Sequence, residues 1–186
     1  MKDASIKVGT NNGTDCVYVF WGPSACGKST LISQLKKEFV DYIYIDIMEY
    51  YRKYRDSTGF VKQEDKLKAY DKLFKDLANI EKCVFLEIGI SNHAINIERI
   101  SREFVDRKII HFLCILDQEI CFKRAKEREK FSPRHHMPER ILQGRYYKRY
   151  PDGHIETLKQ YDHTHHMLHM DRDDVMVVAK EIISKI

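Results

Sequence analysis

Gly22-Pro23-Ser24-Ala25-Cys26-Gly27-Lys28-Ser29 follows the spacing G-x-x-x-x-G-K-S/T in full, and its flanks give that spacing meaning. CVYVFW, residues 16–21, is an unbroken β-branched and aromatic run, as in a strand buried on both faces. After the loop, Leu31, Ile32, Leu35 and Phe39 recur at helical spacing. A glycine-rich turn from a buried strand into a helix lets several backbone N–H groups converge on one phosphate. The helix adds its unpaired amides and the positive end of its dipole. Lys28 then reaches the outer phosphates of a nucleoside triphosphate, and the Ser29 hydroxyl is placed to ligate Mg²⁺. Expected nucleotide contacts are Gly22, Pro23, Ser24, Ala25, Cys26, Gly27, Lys28, Ser29 and Thr30.

The same alternation runs through the chain. YIYIDIM (42–48), CVFLEIGI (83–90), IIHFLCIL (109–116) and HHMLHM (165–170) read as strands. Helical spacing runs through 63–80, with Leu67, Tyr70, Leu73, Phe74 and Leu77, and through 93–105 and 117–130. A last helix places Val175, Val178, Ile182, Ile183 and Ile186 on one face, while Pro133, Pro138 and Pro151 break residues 131–151 into short pieces. Alternating strands and helices predict an α/β fold, a mostly parallel sheet with helices on both faces. At 186 residues the chain is one domain, residues 16–186, preceded by a polar arm over residues 1–15.

Composition narrows the setting. Hydrophobic residues are 43% and charged residues 32%, the balance of a soluble domain. The longest apolar stretch, Ile109 to Leu116, is far short of the roughly 20 residues a bilayer helix needs. The first residues lack the apolar core of a signal peptide. Five cysteines form no CxxC pair, and with the odd count they predict a reducing, cytoplasmic protein. His163, His165, His166 and His169 fit zinc-ligand spacing poorly and read as strand-edge and loop polarity.

Three acids fall at strand ends, where open α/β sheets bind ligands. Asp46 follows the apolar part of the second strand and is the leading catalytic and acceptor-binding candidate, with helix capping as the other reading. Glu87 lies inside CVFLEIGI, where an acid without a partner or metal is rare. Asp117 precedes QEICFKRA and reads as a helix N-cap. Arg52 and Arg55 follow Asp46 at a distance suited to an acceptor phosphate or carboxylate, or stand as solvated charges. Tyr50, Tyr51 and Tyr54 between them read as packing rather than as a stacking surface for a base.

Loop, strand-end acids and C-terminal layout together resemble the small P-loop kinases: nucleoside and nucleotide, polynucleotide, gluconate-kinase and zeta-toxin types. The resemblance covers about residues 16–186. It implies a three-layer P-loop NTPase fold with a five-stranded parallel core and a lid, ATP with Mg²⁺ as donor, and phosphoryl transfer to a small acceptor. In its hydroxyl-phosphorylating members a carboxylate at the place of Asp46 orients or deprotonates the acceptor. Glu87 stands at the Walker B position, acting on Mg²⁺ through water or touching the acceptor. Ala25 takes the place of a more usual glycine. The LSGGQ signature, the NKxD motif and the guanylate-kinase acceptor segment do not occur.

Net charge is +4, unevenly spread. Lys123 to Arg149 holds ten Lys or Arg and three Glu, a net of +7, which leaves −3 for the rest. Arg124 and Arg128 share a helix face and resemble the paired arginines before the kinase lid, which spans about 124–150 here; Arg134 matches by position. Such arginines neutralise charge on the transferred group. Arg140, Arg145, Lys148 and Arg149, with Tyr146, Tyr147 and Tyr150, exceed a minimal lid. The surplus is a solvated face or a nucleic-acid contact. The expected activity is ATP-dependent phosphorylation of a nucleoside or nucleotide. A polynucleotide 5′-hydroxyl kinase and a non-catalytic ATP-binding module are the alternatives.

Overall fold

The computed structural model describes residues 16–57, 61–131, 141 and 149–185. The arm expected at residues 1–15 and most of the basic segment lie outside the described residues. In chain order the elements are β1 (Cys16–Trp21), α1 (Lys28–Leu35), β2 (Ile43–Asp46), α2 (Ile47–Arg52), α3 (Gln63–Ala78) and β3 (Val84–Glu87). There follow α4 (His93–Glu103), β4 (Lys108–Ile115), α5 (Gln118–Glu129), α6 (Asp152–Gln160), β5 (Thr164–His169) and α7 (Val175–Ser184).

The five strands form one parallel sheet in the order β2-β3-β1-β4-β5. β1 is central and all six of its residues are buried, which is why its run lacks polar alternation. Alternate residues feed two cores. Tyr18, Phe20, Phe85 and Phe112 pack under Leu31, Ile32 and Leu35 of α1 and Ile183 of α7. Val17, Val19 and Trp21 pack against Leu73 and Phe74 of α3, Ile97 and Ile100 of α4 and Leu158 of α6. Each fully buried side chain of this size contributes about 1.5–3 kcal/mol. The strand order puts β1 between β3 and β4, so the loop after β1 opens between their C-terminal ends.

Several boundaries differ from expectation. The second strand stops at Asp46, whose carboxylate accepts from the Met48 N–H at 2.8 Å and so starts α2. Ile47 and Met48, expected in the strand, are helical for that reason. The third strand ends at Glu87, although the Ile88 N–H still bonds the Phe20 carbonyl at 3.0 Å. Helix α6 lies just after that proline-broken stretch, where no element was expected; Pro151 is its N-cap residue and α6 continues for nine residues. Leu67 and Val178 are exposed, outside the stripes that α3 and α7 bury. Asp117 caps α5, accepting from Glu119 at 2.8 Å and Ile120 at 3.2 Å. Among the described residues, no helix is long and apolar enough to cross a membrane.

His163, just before β5, joins a largely buried polar chain. The Trp21 indole N–H donates to His111 Nδ1 at 2.8 Å, so His111 carries its proton on Nε2. That N–H donates to His163 Nδ1 at 2.9 Å. His163 Nε2 then donates to the Ser101 hydroxyl at 3.3 Å, and Ser101 donates to the Ile97 carbonyl at 2.8 Å. Every link is satisfied only with both imidazoles neutral. Indole donates only, so the chain ends at Trp21 and positions side chains rather than carrying protons.

Candidate active site

The loop after β1 is shaped by three backbone positions. A Cβ on Gly22 would lie 2.9 Å from the Cys114 carbonyl oxygen and 3.0 Å from Cys26 Sγ, so only glycine fits against β4. Gly27, with φ +110°, turns the chain into α1 as its N-cap residue. Ala25 holds a left-handed φ of +65°, the conformation its usual glycine takes more easily. Pro23 is buried and closes the turn, its carbonyl accepting from the Cys26 N–H at 3.4 Å. Ser24 and Thr30 are exposed on the loop, while Cys26 is buried beneath it.

Lys28 opens α1 and is 7% exposed. Its ammonium donates to the carbonyls of Gly22 at 3.0 Å and Pro23 at 3.1 Å. Burial disfavours its charge, but Cys26 and the Glu87 and Asp46 carboxylates outweigh this and hold its pKa above the ordinary value. Lys28 is thus a permanent cation aimed along the loop.

Acids from two adjacent strands face it. The β2–β3 register sets Asp46 opposite Glu87. Glu87 Oε1 accepts from the Ser29 hydroxyl at 2.9 Å and lies 3.8 Å from Lys28 Nζ. Its Oε2 accepts from the Tyr44 hydroxyl. Burial, and then Glu87, raise the Tyr44 pKa far above the ordinary value, so the phenol stays protonated as donor. Asp46 is raised above the usual carboxylate value by burial, opposed by its Met48 hydrogen bond and reinforced by the Glu87 charge.

A cavity of about 190 Å³ runs over these groups. Asp46, Glu87, Lys28 and Ser29 line its floor, and Ile47, Met48, Arg52, Ile88 and Gly89 form its far wall. Arg128 and Glu129 of α5 close it from the opposite side. A second hollow of about 460 Å³ continues from Ala25, Gly27, Thr30 and Arg128 toward Gln34, Phe131, Met170 and Val175. Arg124 lines that hollow and donates to the Cys26 carbonyl at 3.2 Å. The two hollows share Ala25, Gly27, Thr30 and Arg128.

Not all candidates converge. Arg55 does not line the first cavity, whereas Arg52 does. Tyr50 donates to Asp76 at 3.0 Å, and Tyr51 packs edge-on against Tyr70 with centroids 6.0 Å apart. Neither lines the cavity. Arg134, Arg140, Arg145 and Lys148 lie outside the described residues, and Arg149 is exposed. Tyr44 was not anticipated, although its place two residues before Asp46 puts both on one strand face. Gln34 of α1, Met170 in the turn after β5 and Val175 of α7 are far apart in the sequence and carry no local motif.

The donor set suits Mg²⁺, a hard cation that takes hydroxyl and carboxylate oxygens and keeps substrate phosphates and waters as its other ligands. Ser29 and Glu87 are the residues that would hold it, since the hydroxyl and one carboxylate oxygen already meet at 2.9 Å. When bound it supplies charge neutralisation on the phosphates.

No protein-family model matches the chain, and no curated protein matches it by sequence. Solved structures do match by shape. A shikimate kinase from Acinetobacter baumannii in complex with shikimate is 17% identical at a TM-score of 0.59, over 92% of each chain. A deoxyadenosine kinase from M. mycoides with bound dATP is 18% identical at 0.54, over 91% of this chain and 98% of that one. A gluconokinase from Sinorhizobium meliloti 1021 is 12% identical at 0.56, over 92% and 97%. The fold is that of the small P-loop kinases. The three neighbours are named for three unlike acceptors, so the fold does not choose among acceptors.

Proposed function

We propose that the chain is an ATP- and Mg²⁺-dependent phosphotransferase that moves the γ-phosphate of ATP to a hydroxyl of a small acceptor. The observation that carries this is the meeting of Lys28, Ser29, Glu87 and Asp46 on one cavity floor, at the C-terminal ends of β1, β2 and β3. Triphosphate oxygens lie against the loop amides and Lys28. Arg124 and Arg128 reach the same phosphates from α5, and Arg134, assigned only by its place in the sequence, would join them. The acceptor hydroxyl lies beside Asp46, which takes its proton as the oxygen attacks the γ-phosphorus and ADP leaves.

The far wall bears on the acceptor. Arg52 lines it, and its guanidinium matches a carboxylate or phosphate in two-pronged fashion. With Tyr50 and Tyr51 turned into other contacts, the wall offers a cation and aliphatic side chains rather than a stacking surface. The acceptor that fits is a hydroxylated anion, such as a hydroxy acid, a sugar phosphate or a nucleotide; a neutral nucleoside fits less well.

Incubation with γ-labelled ATP and a panel of hydroxy acids, sugar phosphates, nucleosides, nucleotides and 5′-hydroxyl oligonucleotides tests this. Transfer to a small anion, lost in Lys28→Ala, is the expected result. Transfer to oligonucleotides alone makes the chain a polynucleotide kinase. ATP binding without transfer to any acceptor makes it a non-catalytic module.

A further inference from the structure

Tyr44 makes a contact that the phosphate loop and the acceptor do not explain. It projects from β2 two residues before Asp46, and its hydroxyl donates to Glu87 Oε2, the oxygen that Ser29 does not use. Glu87 is 8% exposed and is held on three sides, by Tyr44, by Ser29 at 2.9 Å and by Lys28 at 3.8 Å.

A glutamate here needs such a fixing partner more than an aspartate would. Its side chain has one more rotatable bond and so more rotamers to lose on ordering. The Lys28 ammonium already pairs with Oε1 at 3.8 Å, and without a second anchor the carboxylate is free to rotate about that contact. Tying down Oε2 from the β2 side leaves Oε1 on the Ser29 side, where hydroxyl and carboxylate oxygens already meet. Removing a hydrogen-bond partner of a metal-ligating group typically costs about 10–100-fold in metal affinity or activity.

The ring is not what makes this contact. Tyr44 is only partly buried, packed at the margin of the α1-side core, so a phenylalanine ring would fill the same space. The hydroxyl is the informative atom.

We propose that Tyr44 is a positioning residue for metal–nucleotide binding, orienting Glu87 so that its Oε1 and the Ser29 hydroxyl present a ready-made pair of oxygens to Mg²⁺. This rests on the reading of the loop as a Mg²⁺–nucleotide site, not on the identity of the acceptor.

Tyr44→Phe removes the hydroxyl alone. ATP affinity is measured by calorimetry for wild type and variant, once in EDTA and once across a Mg²⁺ titration. Mn²⁺ bound in the presence of ADP is counted by electron paramagnetic resonance. The expected result is an unchanged metal-free ATP affinity and a metal half-saturation raised roughly 10–100-fold, recovered at excess metal. Glu87→Gln reproduces the shift without recovery. An unchanged metal half-saturation in Tyr44→Phe overturns the proposal. So does an equal loss of ATP affinity with and without metal, which marks a merely structural hydroxyl, and so does a wild type whose ATP affinity ignores Mg²⁺. Normal metal–nucleotide binding without transfer to any acceptor removes the kinase reading and leaves this one standing.

Discussion

Asp46 and Glu87 face each other directly across the β2–β3 ladder. Two like charges in that relation repel, and burial adds to the cost. Lys28 offsets part of it from 3.8 Å away on the Glu87 side. The pair therefore weakens the sheet edge of the site, and relief should follow when one charge is removed. Asp46→Asn is the clean case, because asparagine still caps α2 by accepting from the Met48 N–H. The expected outcome is unchanged or slightly raised thermal stability, by up to about 1 kcal/mol, with kcat lower by roughly 10²–10⁴. A melting curve and a steady-state assay on the same preparation read both. A stability loss above about 2 kcal/mol would assign Asp46 to the fold instead.

In the proposed reaction the same carboxylate should set an acid limit on the rate. A general base works only when ionised, and burial with the Glu87 charge holds the Asp46 pKa above its ordinary value of 3.8. As pH falls through that raised pKa, kcat/KM should fall in proportion to the ionised fraction. Asp46→Asn should flatten this limb while lowering the whole profile. A wild-type limb that survives unchanged in Asp46→Asn assigns it to another group.

Stability should follow pH in the opposite sense from what Asp46 alone would give. A carboxyl whose folded pKa is raised favours the folded state as pH falls. His111 and His163 are held below the ordinary 6.5, both chiefly by burial, and His154 is pushed down to about 3 by burial and then by His93. A histidine lowered in the folded state contributes stability that is complete above about pH 6.5 and is lost as pH falls toward the folded value. Protonating His163 would also set an N–H on Nδ1 against the His111 N–H, breaking the chain from Trp21 to Ser101. Urea denaturation at pH 7, 6 and 5 should show stability falling by up to about 1.4 kcal/mol per pH unit for each histidine. A flat profile over that range would falsify the neutral-chain assignment.

The phosphate loop, the five strands and the order of acids at their ends were legible because each is local: a run of buried residues, a fixed spacing, a strand end. Helix α2 was half legible: capping was one reading of Asp46, but Ile47 and Met48 continue an apolar run, and only the Asp46 side chain, bonded at 2.8 Å, decides that the chain turns. Helix α6 was hidden because Pro151 reads as a break, although proline suits a helix start. The role of Tyr44 needed the β2–β3 pairing, which no single segment contains. The division between Arg52, which lines the cavity, and Arg55, which does not, depends on how α2 ends.

Gly22 and Gly89 separate the donor side from the acceptor side by experiment. Both border the same cavity, yet a methyl group meets opposite surroundings at the two positions. At Gly22 it would sit 2.9 Å from the Cys114 carbonyl oxygen, a backbone atom held in β4 that also accepts from Tyr150 at 3.0 Å. Neither the strand nor the loop has slack, so Gly22→Ala must displace the turn whose amides are proposed to bind the phosphates. Overpacking of this kind costs about 1–3 kcal/mol, and ATP affinity should fall with it. At Gly89 nothing lies within 4 Å of the added carbon, so Gly89→Ala should fold and bind ATP as wild type does. Gly89 itself lines the cavity, next to Ile88 on the wall assigned to the acceptor. The expected kinetic signature is a raised acceptor KM with an unchanged ATP KM. If Gly89→Ala raises the ATP KM instead, the two halves of the cavity are assigned the wrong way round.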